Sequence, residues 1–266
     1  MHPWPLPIPC TRTKNQDIIF DMDGTLLQGD LGETYFFARL LQNSSHLSLD
    51  PSSWDYQSGH TFKLSKPASD TLSAYIDLWE RGEDTASFLE AYKFVAGISP
   101  EEMRAFTKAV LNAEVPIVPL HFQLHSENQL RIQTVRFGAR LRPFMKRLTA
   151  MLHTCGARIW IISATTQWLC EGLGDRLSIP RERVRAVLVT EDPLQVIRFP
   201  WRESKVDTLR EAGIDSPLMV FGDTMGDAAM LEQARYPVVM ADGEPELLNI
   251  AAQNCWHILD PSGRDT

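Results

Sequence analysis

The feature that most constrains the fold of this chain is a series of short apolar segments that alternate with helix-like segments. The segments between the later apolar runs carry helix boundary signals, such as Pro143 at the start of one and Gly156 just after its end. Alternation of this kind predicts the α/β class, with a parallel sheet and helices on both of its faces. The apolar segments, each with the length of a buried strand, lie at 17–23, 157–164, 184–190, 217–223, 237–241 and 256–259.

The alternation is interrupted after the first apolar segment. Residues 28–137 contain helical patterns and turn signals but no convincing strand, and a capping box at Ser99 predicts the start of one helix. An interruption of this length is far longer than an ordinary connection between two elements. We therefore predict a helical cap domain over 28–137, inserted into a core domain over 13–27 and 138–266, with residues 1–12 as a proline-rich leader.

Charge and composition argue against several classes of function. The formal net charge is −8 and no basic cluster is present, which argues against nucleic acid as a partner. No apolar stretch reaches the roughly 20 residues of a membrane-spanning helix, so no membrane partner is expected. The cysteines, Cys10, Cys155, Cys170 and Cys255, show no metal-ligand spacing. We expect reduced thiols in a cytoplasmic protein, a monomer or homodimer, that acts on a small molecule.

Asp21 and Asp23 lie at the end of the first predicted strand. Positions two apart on a strand point to the same side, so their carboxylates begin close together. Two such carboxylates repel each other, and a bound cation or a proton on one of them relieves the repulsion. An ionised Asp, whose ordinary pKa is about 3.9, is a nucleophile that needs no activating base. The pair therefore predicts a nucleophilic carboxylate beside a hard divalent cation such as Mg²⁺.

Further polar side chains follow the later predicted strands. We expect Asp223 to ligate the metal directly, and Asp227 either to ligate it or to orient its water. Ser163 closes a strand and precedes a predicted helix, so its hydroxyl and the backbone N–H of Ala164 are placed to bind an anion. Lys205 opens another helix and offers a compact positive charge. Because ligands bind beyond the carboxyl ends of parallel strands, these groups predict one phosphoryl-transfer site.

The ordered set of these segments resembles the four motifs of the haloacid dehalogenase superfamily. The resemblance covers residues 17–259 and implies a Rossmann-like three-layer core with Mg²⁺ as cofactor. It implies that Asp21 attacks phosphorus and also ligates the metal. Asp23 is then expected to protonate the leaving alcohol and later to deprotonate water, while its backbone carbonyl contacts the metal. The residues that carry the resemblance are Asp21-Met22-Asp23-Gly24-Thr25, with Thr25 in the phosphate site, then Ser163, Lys205 and Gly222-Asp223 through Asp227.

The resemblance also bears on the type of substrate. The second Asp, Asp23, is typical of phosphatases in this superfamily and argues against carbon–halogen cleavage. The insertion between the first two motifs resembles the type 1 cap of the phosphoserine phosphatase branch. The segment Gly29–Glu33 is similar to an acidic segment of phosphoserine and phosphocholine phosphatases. Glu33, together with aromatic side chains of the cap, is therefore expected to hold a substrate ammonium group.

Three positions depart from the pattern of phosphoserine phosphatases. Ala164 and Thr165 stand where those enzymes tend to have glycines, and Gly226 stands where many have Asn. These departures weaken the expectation of a phosphoserine substrate.

The predicted activity is Mg²⁺-dependent hydrolysis of a small phosphomonoester through an aspartyl-phosphate intermediate. Candidate substrates are similar to phosphoserine, phosphocholine or phosphoethanolamine. Two alternatives stay open. One is a phosphotransferase that passes the same phosphoryl group to an acceptor alcohol, and the other is a family member without catalytic activity that acts as a binding module.

Overall fold

The computed structural model describes residues 9–44, 48–54, 61–126, 129–191 and 194–262. The chain forms two compact units. The core unit comprises the described residues of Met1–Gln28, Leu141–Leu188 and Ile197–Thr266, and the insert unit comprises those of Gly29–Arg140 and Val189–Val196.

A seven-stranded sheet forms the centre of the core unit. Its order is β12-β11-β10-β1-β7-β8-β9, and the pairings from β12 through to β8 are parallel. A mostly parallel sheet of this order, with helices after its strands, is the Rossmann-like α/β core that the sequence predicted. The strands are β1 (Asp17–Phe20), β7 (Arg158–Thr166), β8 (Val184–Glu191), β9 (Leu194–Arg198), β10 (Met219–Gly222), β11 (Tyr236–Met240) and β12 (His257–Leu259).

The central strands are apolar because both faces of the sheet are covered. Ile18, Ile19 and Phe20 of β1 are fully buried, and Phe20 stacks on Phe221 of β10 with ring centroids 4.3 Å apart. Each such side chain contributes about 1.5–3 kcal/mol on burial, which fixes β1 between its neighbours. The helices of the core unit are α5 (Pro143–Thr154), α6 (Gln167–Leu177), α7 (Ser204–Glu211), α8 (Ala228–Leu231) and α9 (Pro245–Gln253).

The insert unit is mixed α/β, so the prediction of a purely helical cap without strands was wrong. Its three-stranded sheet has the order β3-β4-β5, with β3 parallel to β4 and β4 antiparallel to β5. The elements are α1 (Leu31–Asn43), β3 (Thr61–Lys63), α2 (Lys66–Glu80), α3 (Asp84–Lys93), α4 (Pro100–Ala113), β4 (Val118–Ser126) and β5 (Gln129–Phe137).

The strand β4 shows the pattern that the sequence analysis overlooked. Leu120, Phe122 and Leu124 are buried, while His121 and Gln123 between them are partly exposed. This alternation with period two is typical of a half-buried strand. In contrast, the predicted capping box at Ser99 is confirmed, because the Ser99 hydroxyl accepts from Glu102 N and the Glu102 carboxylate accepts from Ser99 N.

Most of the aromatic side chains of the insert unit form its core. Phe37 packs against Phe122 at 5.8 Å and Trp54 against Phe137 at 4.9 Å, both measured between ring centroids. Tyr56, another aromatic residue of the predicted cap, lies outside the described residues. Where the chain passes between the units, β2 (Leu27–Gly29) and β6 (Ala139–Leu141) pair as a two-stranded sheet.

The prediction that all the cysteines are reduced thiols was wrong for two of them. Cys10 lies in a short 3-10 turn, Cys10–Arg12, and forms a disulfide with Cys155 just after α5, with 5.7 Å between their Cα atoms. This turn belongs to the segment predicted as a loose leader, whose residues 1–8 lie outside the description. Cys170 is a buried free thiol and Cys255 an exposed one. Among the described helices, none has the length and hydropathy needed to cross a lipid bilayer.

Candidate active site

The carboxyl ends of three adjacent strands bring the predicted motif residues together. Strand β1 lies between β10 and β7, and Asp21 and Asp223 directly follow β1 and β10. The backbone N–H of Asp21 continues the pairing with β10 by donating to the carbonyl oxygen of Phe221 at 3.0 Å. Parallel strand ends meet at one edge of the sheet, so the order of the strands places both carboxylates at a single site.

After Asp21 the chain makes a tight turn over Met22–Leu26, which we call the nucleophile loop. Gly24 has a φ of +75°, and a Cβ atom at this position would overlap the Asp223 carboxylate. Only glycine combines this backbone conformation with so close an approach. The hydroxyl of Thr25, which is fully buried, donates to Oδ1 of Asp223 at 2.8 Å. Thr25 was predicted to bind phosphate, and here its hydroxyl contacts a candidate metal ligand.

Lys205, in the first turn of α7, lies inside this site with only 2% of its surface exposed. Its Nζ contacts Oδ1 of Asp21 at 2.6 Å and Oδ1 of Asp227 at 2.5 Å. Burial alone lowers the pKa of a lysine, but the two carboxylates outweigh burial and raise the pKa of Lys205 well above its usual value. The ammonium group therefore stays charged. A lysine at the start of a helix is often on the surface, but the side chain of Lys205 is buried.

Asp227 is enclosed by hydrogen-bond donors. Its Oδ1 accepts from Lys205, and its Oδ2 accepts from the backbone N–H groups of Asp223 and Thr224 at 3.0 and 3.1 Å. The turn that follows β10 contains a capping box in which Thr224 is the N-cap residue and Asp227 is its partner three residues later. Asp227 therefore anchors both the turn that carries Asp223 and the ammonium group of Lys205.

Three carboxylates face one another at this site. Oxygen atoms of Asp21, Asp223 and Asp227 all lie within 4.8 Å of one another. Burial, then the charge of Asp227, raises the pKa of Asp21 to about 7, although Lys205 acts in the opposite direction. Burial and the charges of Asp227 and Asp21 likewise raise the pKa of Asp223 to about 9. The single positive charge of Lys205 does not balance the negative charge of the three carboxylates. Buried oxygen ligands with excess negative charge fit a hard divalent cation.

On the other side of β1, strand β7 carries Ser163 and Thr165 toward the nucleophile loop. The register between β7 and β8 shifts between Ile162 and Thr166, so the intervening residues form an irregular segment of the strand. Irregularities of this kind redirect side chains and are common beside active sites. Within it, the Thr165 N–H donates to the Ser163 hydroxyl oxygen at 3.1 Å, and the Thr165 hydroxyl donates to Oδ2 of Asp23 at 2.6 Å.

The helix α6 begins later than the sequence indicated. Its N-cap is Thr166, three residues beyond Ser163, so Ser163 does not stand directly at the start of this helix. Ser163 is 2% exposed and Ala164 is partly exposed, both within β7. The structure brings Ser163, Thr165 and Asp23 together, and the assignment of Ser163 and Ala164 to phosphate binding stays a prediction.

Glu33 lies in the insert unit, in the first turn of α1. Its Oε1 accepts from the hydroxyl of Tyr75 at 2.9 Å, and its backbone N–H donates to Oδ1 of Asp30, the N-cap of α1, at 2.6 Å. Burial, then the charge of Asp30, raises the pKa of Glu33 to about 7. Phe36 packs against the Tyr75 ring with centroids 5.2 Å apart. Glu33 therefore lies beside a second acidic residue, Asp30, and contacts Tyr75, whose ring packs against another aromatic ring.

The sequence did not single out three residues that contact the predicted motif residues, although Tyr75 belongs to the aromatic side chains of the cap that were expected to act with Glu33. Arg142 donates to the carbonyl oxygens of Gly24 and Leu27 at 2.7 and 3.1 Å, Thr165 contacts Asp23, and Tyr75 contacts Glu33. Arg142 directly precedes the predicted helix start at Pro143, and Thr165 was noted only as a departure from glycine. No local signal connects Tyr75 with Glu33, because 42 positions separate them in the chain.

The chain is similar to known proteins over most of its length. A family model described as haloacid dehalogenase-like hydrolase matches residues 18–232, and a second model with the same description matches residues 211–257. No curated protein sequence matches the chain.

Solved structures with the same fold have low sequence identity to this chain. A protein of unknown function from Bordetella pertussis Tohama I has a TM-score of 0.62 at 17% identity, with 94% of this chain and all of the other (100%) covered. A functionally unknown protein from Anaerococcus prevotii DSM 20548 has a TM-score of 0.60 at 18% identity, with 93% and 86% covered. A phosphoserine phosphohydrolase-like protein from Francisella tularensis subsp. tularensis SCHU S4 has a TM-score of 0.52 at 18% identity, with 92% and 94% covered.

Proposed function

This chain belongs to the haloacid dehalogenase-like hydrolase family, and from that premise we propose that it is a Mg²⁺-dependent phosphatase of small phosphomonoesters with Asp21 as its nucleophile. The observation that carries the proposal is the environment of the Asp21 carboxylate. It is buried at the carboxyl edge of the sheet, in contact with Lys205, and within 4.8 Å of oxygen atoms of Asp223 and Asp227. A phosphate dianion requires such positive charge, supplied by Lys205 and by a cation, before a carboxylate approaches it.

The residues present fit a magnesium ion. We assign the carboxylates of Asp21 and Asp223 as its protein ligands, together with the backbone carbonyl of Asp23. Asp227, whose two oxygens already accept hydrogen bonds, holds Lys205 and the Asp223 turn in place. When bound, Mg²⁺ supplies positive charge that offsets the repulsion between Asp21 and the substrate phosphate.

The chemistry then divides between two carboxyl groups. In the first step an oxygen of Asp21 forms a bond to phosphorus as the bond to the leaving oxygen breaks, and Asp23 gives its proton to that oxygen. In the second step a water oxygen bonds to phosphorus, Asp23 takes the water proton, and the bond from phosphorus to Asp21 breaks. Inorganic phosphate leaves, and both side chains return to their starting states.

An assay with p-nitrophenyl phosphate, with and without Mg²⁺, tests the proposal. We expect release of p-nitrophenol and phosphate that requires the metal and that is abolished in Asp21→Asn, because a neutral amide is a poor nucleophile toward phosphorus. Equal activity in EDTA would remove the metal from the mechanism. Transfer of the phosphoryl group to added alcohols in place of water would identify a phosphotransferase, and metal binding without turnover of any ester would identify a binding module.

We further propose that Glu33 selects substrates that carry an ammonium group, such as phosphoethanolamine, phosphocholine or phosphoserine. A carboxylate that accepts from the hydroxyl of Tyr75, whose ring packs against Phe36, offers an ion pair beside aromatic side chains, which together suit an alkylated or primary ammonium group. Because the pKa of Glu33 is raised to about 7, its charge develops only as the pH rises through neutrality.

The pH dependence of substrate preference tests the role of Glu33. We expect the ratio of kcat/KM for phosphoethanolamine to kcat/KM for a neutral sugar phosphate to rise between about pH 6 and about pH 8. In Glu33→Gln this ratio should be low and independent of pH. Glu101→Gln is the matched control, since Glu101 lies on the exposed surface of the same unit and should leave the ratio unchanged. A ratio unaffected by Glu33→Gln would contradict the assignment.

A further inference from the structure

Thr165 makes a contact with the candidate acid–base group that the family motifs do not specify. Its hydroxyl donates to Oδ2 of Asp23 at 2.6 Å, across 142 positions of the chain. Thr165 stands where the related phosphoserine phosphatases tend to have glycine, a residue without a side chain to make this bond. The contact is therefore specific to the residue that this chain carries at position 165.

The position of the Thr165 hydroxyl is fixed by its surroundings. The residue is 8% exposed and lies in the irregular segment of β7, where its N–H donates to the Ser163 hydroxyl. Its carbonyl oxygen accepts from the thiol of Cys170 on α6 at 3.8 Å. A β-branched side chain has few rotamers, so a backbone held at both its N–H and its carbonyl group also fixes the direction of the hydroxyl.

We propose that Thr165 is a positioning residue for acid–base chemistry at Asp23, an inference that rests on the phosphatase function proposed above. A donor on Oδ2 keeps that oxygen as an acceptor, so the proton that Asp23 carries resides on Oδ1. In the first step this proton passes from Oδ1 to the leaving oxygen as the bond to phosphorus breaks. In the second step Oδ1 takes a proton from water as the water oxygen bonds to phosphorus. The hydroxyl proton of Thr165 stays on Thr165 throughout.

The dependence of rate on the leaving group distinguishes this role from a structural one. An alkoxide is a poor leaving group and requires the proton from Asp23, whereas p-nitrophenolate leaves without protonation. In Thr165→Val, which replaces the hydroxyl by a methyl group, we expect kcat for an alkyl phosphate to fall by about tenfold to about a hundredfold. The rate of the first release of p-nitrophenol, measured as a burst, should fall by about threefold or less.

Two variants serve as controls. Thr165→Ser keeps the hydroxyl and should recover most of the alkyl phosphatase activity that Thr165→Val loses. Thr166→Val removes a hydroxyl from the neighbouring buried residue, which makes no side-chain capping bond to α6, and should leave both rates close to those of the wild type. Thermal unfolding establishes that each variant is folded, and if Thr165→Val is not, Thr165→Ala takes its place in the comparison with Thr165→Ser.

The outcomes separate this inference from the function on which it rests. Equal losses on both esters, no loss on the alkyl ester, or failure of Thr165→Ser to recover activity would each overturn the role of Thr165 and leave the phosphatase intact. A wild-type protein that hydrolyses neither ester would overturn both.

Discussion

Gly226 and Trp201 are matched to each other in the turn beside Asp227. A Cβ atom on Gly226 would overlap the indole ring of Trp201, and the guanidinium carbon of Arg202 lies 5.8 Å from the centroid of that ring. The N–H of Arg202 donates to the carbonyl oxygen of Gly226 at 3.1 Å. The indole thus occupies the space that a side chain at position 226 requires, which explains the absence of the Asn that the family pattern favours there.

We therefore predict that Gly226→Asn is harmful in this chain although it restores the commoner motif. Overpacking against the ring should cost about 1–3 kcal/mol and displace Asp227, so both the free energy of unfolding and kcat/KM should fall. The double variant Gly226→Asn with Trp201→Ala should recover stability relative to Gly226→Asn alone. Urea unfolding and phosphatase assays on the single and double variants measure the coupling, and strictly additive effects would contradict it.

At the scale of elements, Arg142 links the start of α5 to the nucleophile loop. Its guanidinium donates to the carbonyl oxygens of Gly24 and Leu27, and its backbone N–H donates to the carbonyl oxygen of Leu26. It also pairs with Asp242 at 2.9 Å, although the side chain of Asp242 is 47% exposed. Because the contact with Leu27 is buried, the contact with Gly24 is partly buried and Asp242 is half-exposed, we expect most of the energy to come from the loop contacts.

This difference predicts the effect of two substitutions. Arg142→Met removes the donor to the buried carbonyl group of Leu27 and to the partly buried one of Gly24, and should lower the free energy of unfolding by on the order of 3 kcal/mol. We expect kcat to fall by a larger factor than KM changes. Asp242→Asn keeps those contacts and should cost about 1 kcal/mol or less. Chemical denaturation together with steady-state kinetics tests both. Similar effects of the two substitutions would show that the ion pair, and not the loop, is what Arg142 stabilises.

The sequence was most informative about elements with a strong local pattern. The two-sided burial of the central sheet makes β1, β10 and β11 continuously apolar, and the capping box at Ser99 is a local signal. Strands β4 and β5 were missed because their apolar positions alternate with polar ones over a half-buried surface. Strand β9, whose residues also alternate between partly exposed and exposed, was missed for the same reason.

The same contrast applies to the candidate site. Motif order predicted Asp21, Asp23, Lys205, Asp223 and Asp227 as site residues, because each lies near the end or start of a recognisable element. The structure brings together four of these side chains, those of Asp21, Lys205, Asp223 and Asp227. The contacts of Thr165, Arg142 and Tyr75 depend on distant parts of the chain that meet only in the fold, and so does the disulfide of Cys10 with Cys155. No spacing in the sequence encodes these pairings.

For the whole molecule, the acidic cluster connects metal binding with stability. The pKa values of Asp21 and Asp223 are raised to about 7 and about 9, so without metal the folded state binds more protons than the unfolded state above about pH 4. Stability that depends on these protons is present at low pH and is lost as the pH rises through the raised pKa values. Bound Mg²⁺ replaces the protons, and its effect should be largest at high pH.

We predict that protein in EDTA unfolds at a lower temperature at about pH 9 than at about pH 6, and that Mg²⁺ removes most of this difference. In Asp223→Asn, which removes one of the repelling charges, the protein in EDTA should be more stable than the wild type at high pH and should gain little from Mg²⁺. Differential scanning calorimetry across pH measures both effects. An equal response to Mg²⁺ in the variant and the wild type would exclude Asp223 as a ligand.

Direct capture of the phosphoryl group on the protein is the most decisive experiment. The protein is mixed with a phosphomonoester in Mg²⁺, quenched in acid within one turnover, and digested for mass spectrometry. We predict a phosphoryl group on the peptide that contains Asp21, located on Asp21 itself, and its absence from Asp21→Asn. Turnover of the ester with no phosphoryl group on Asp21 at any quench time, or with the group on another residue, would contradict the account.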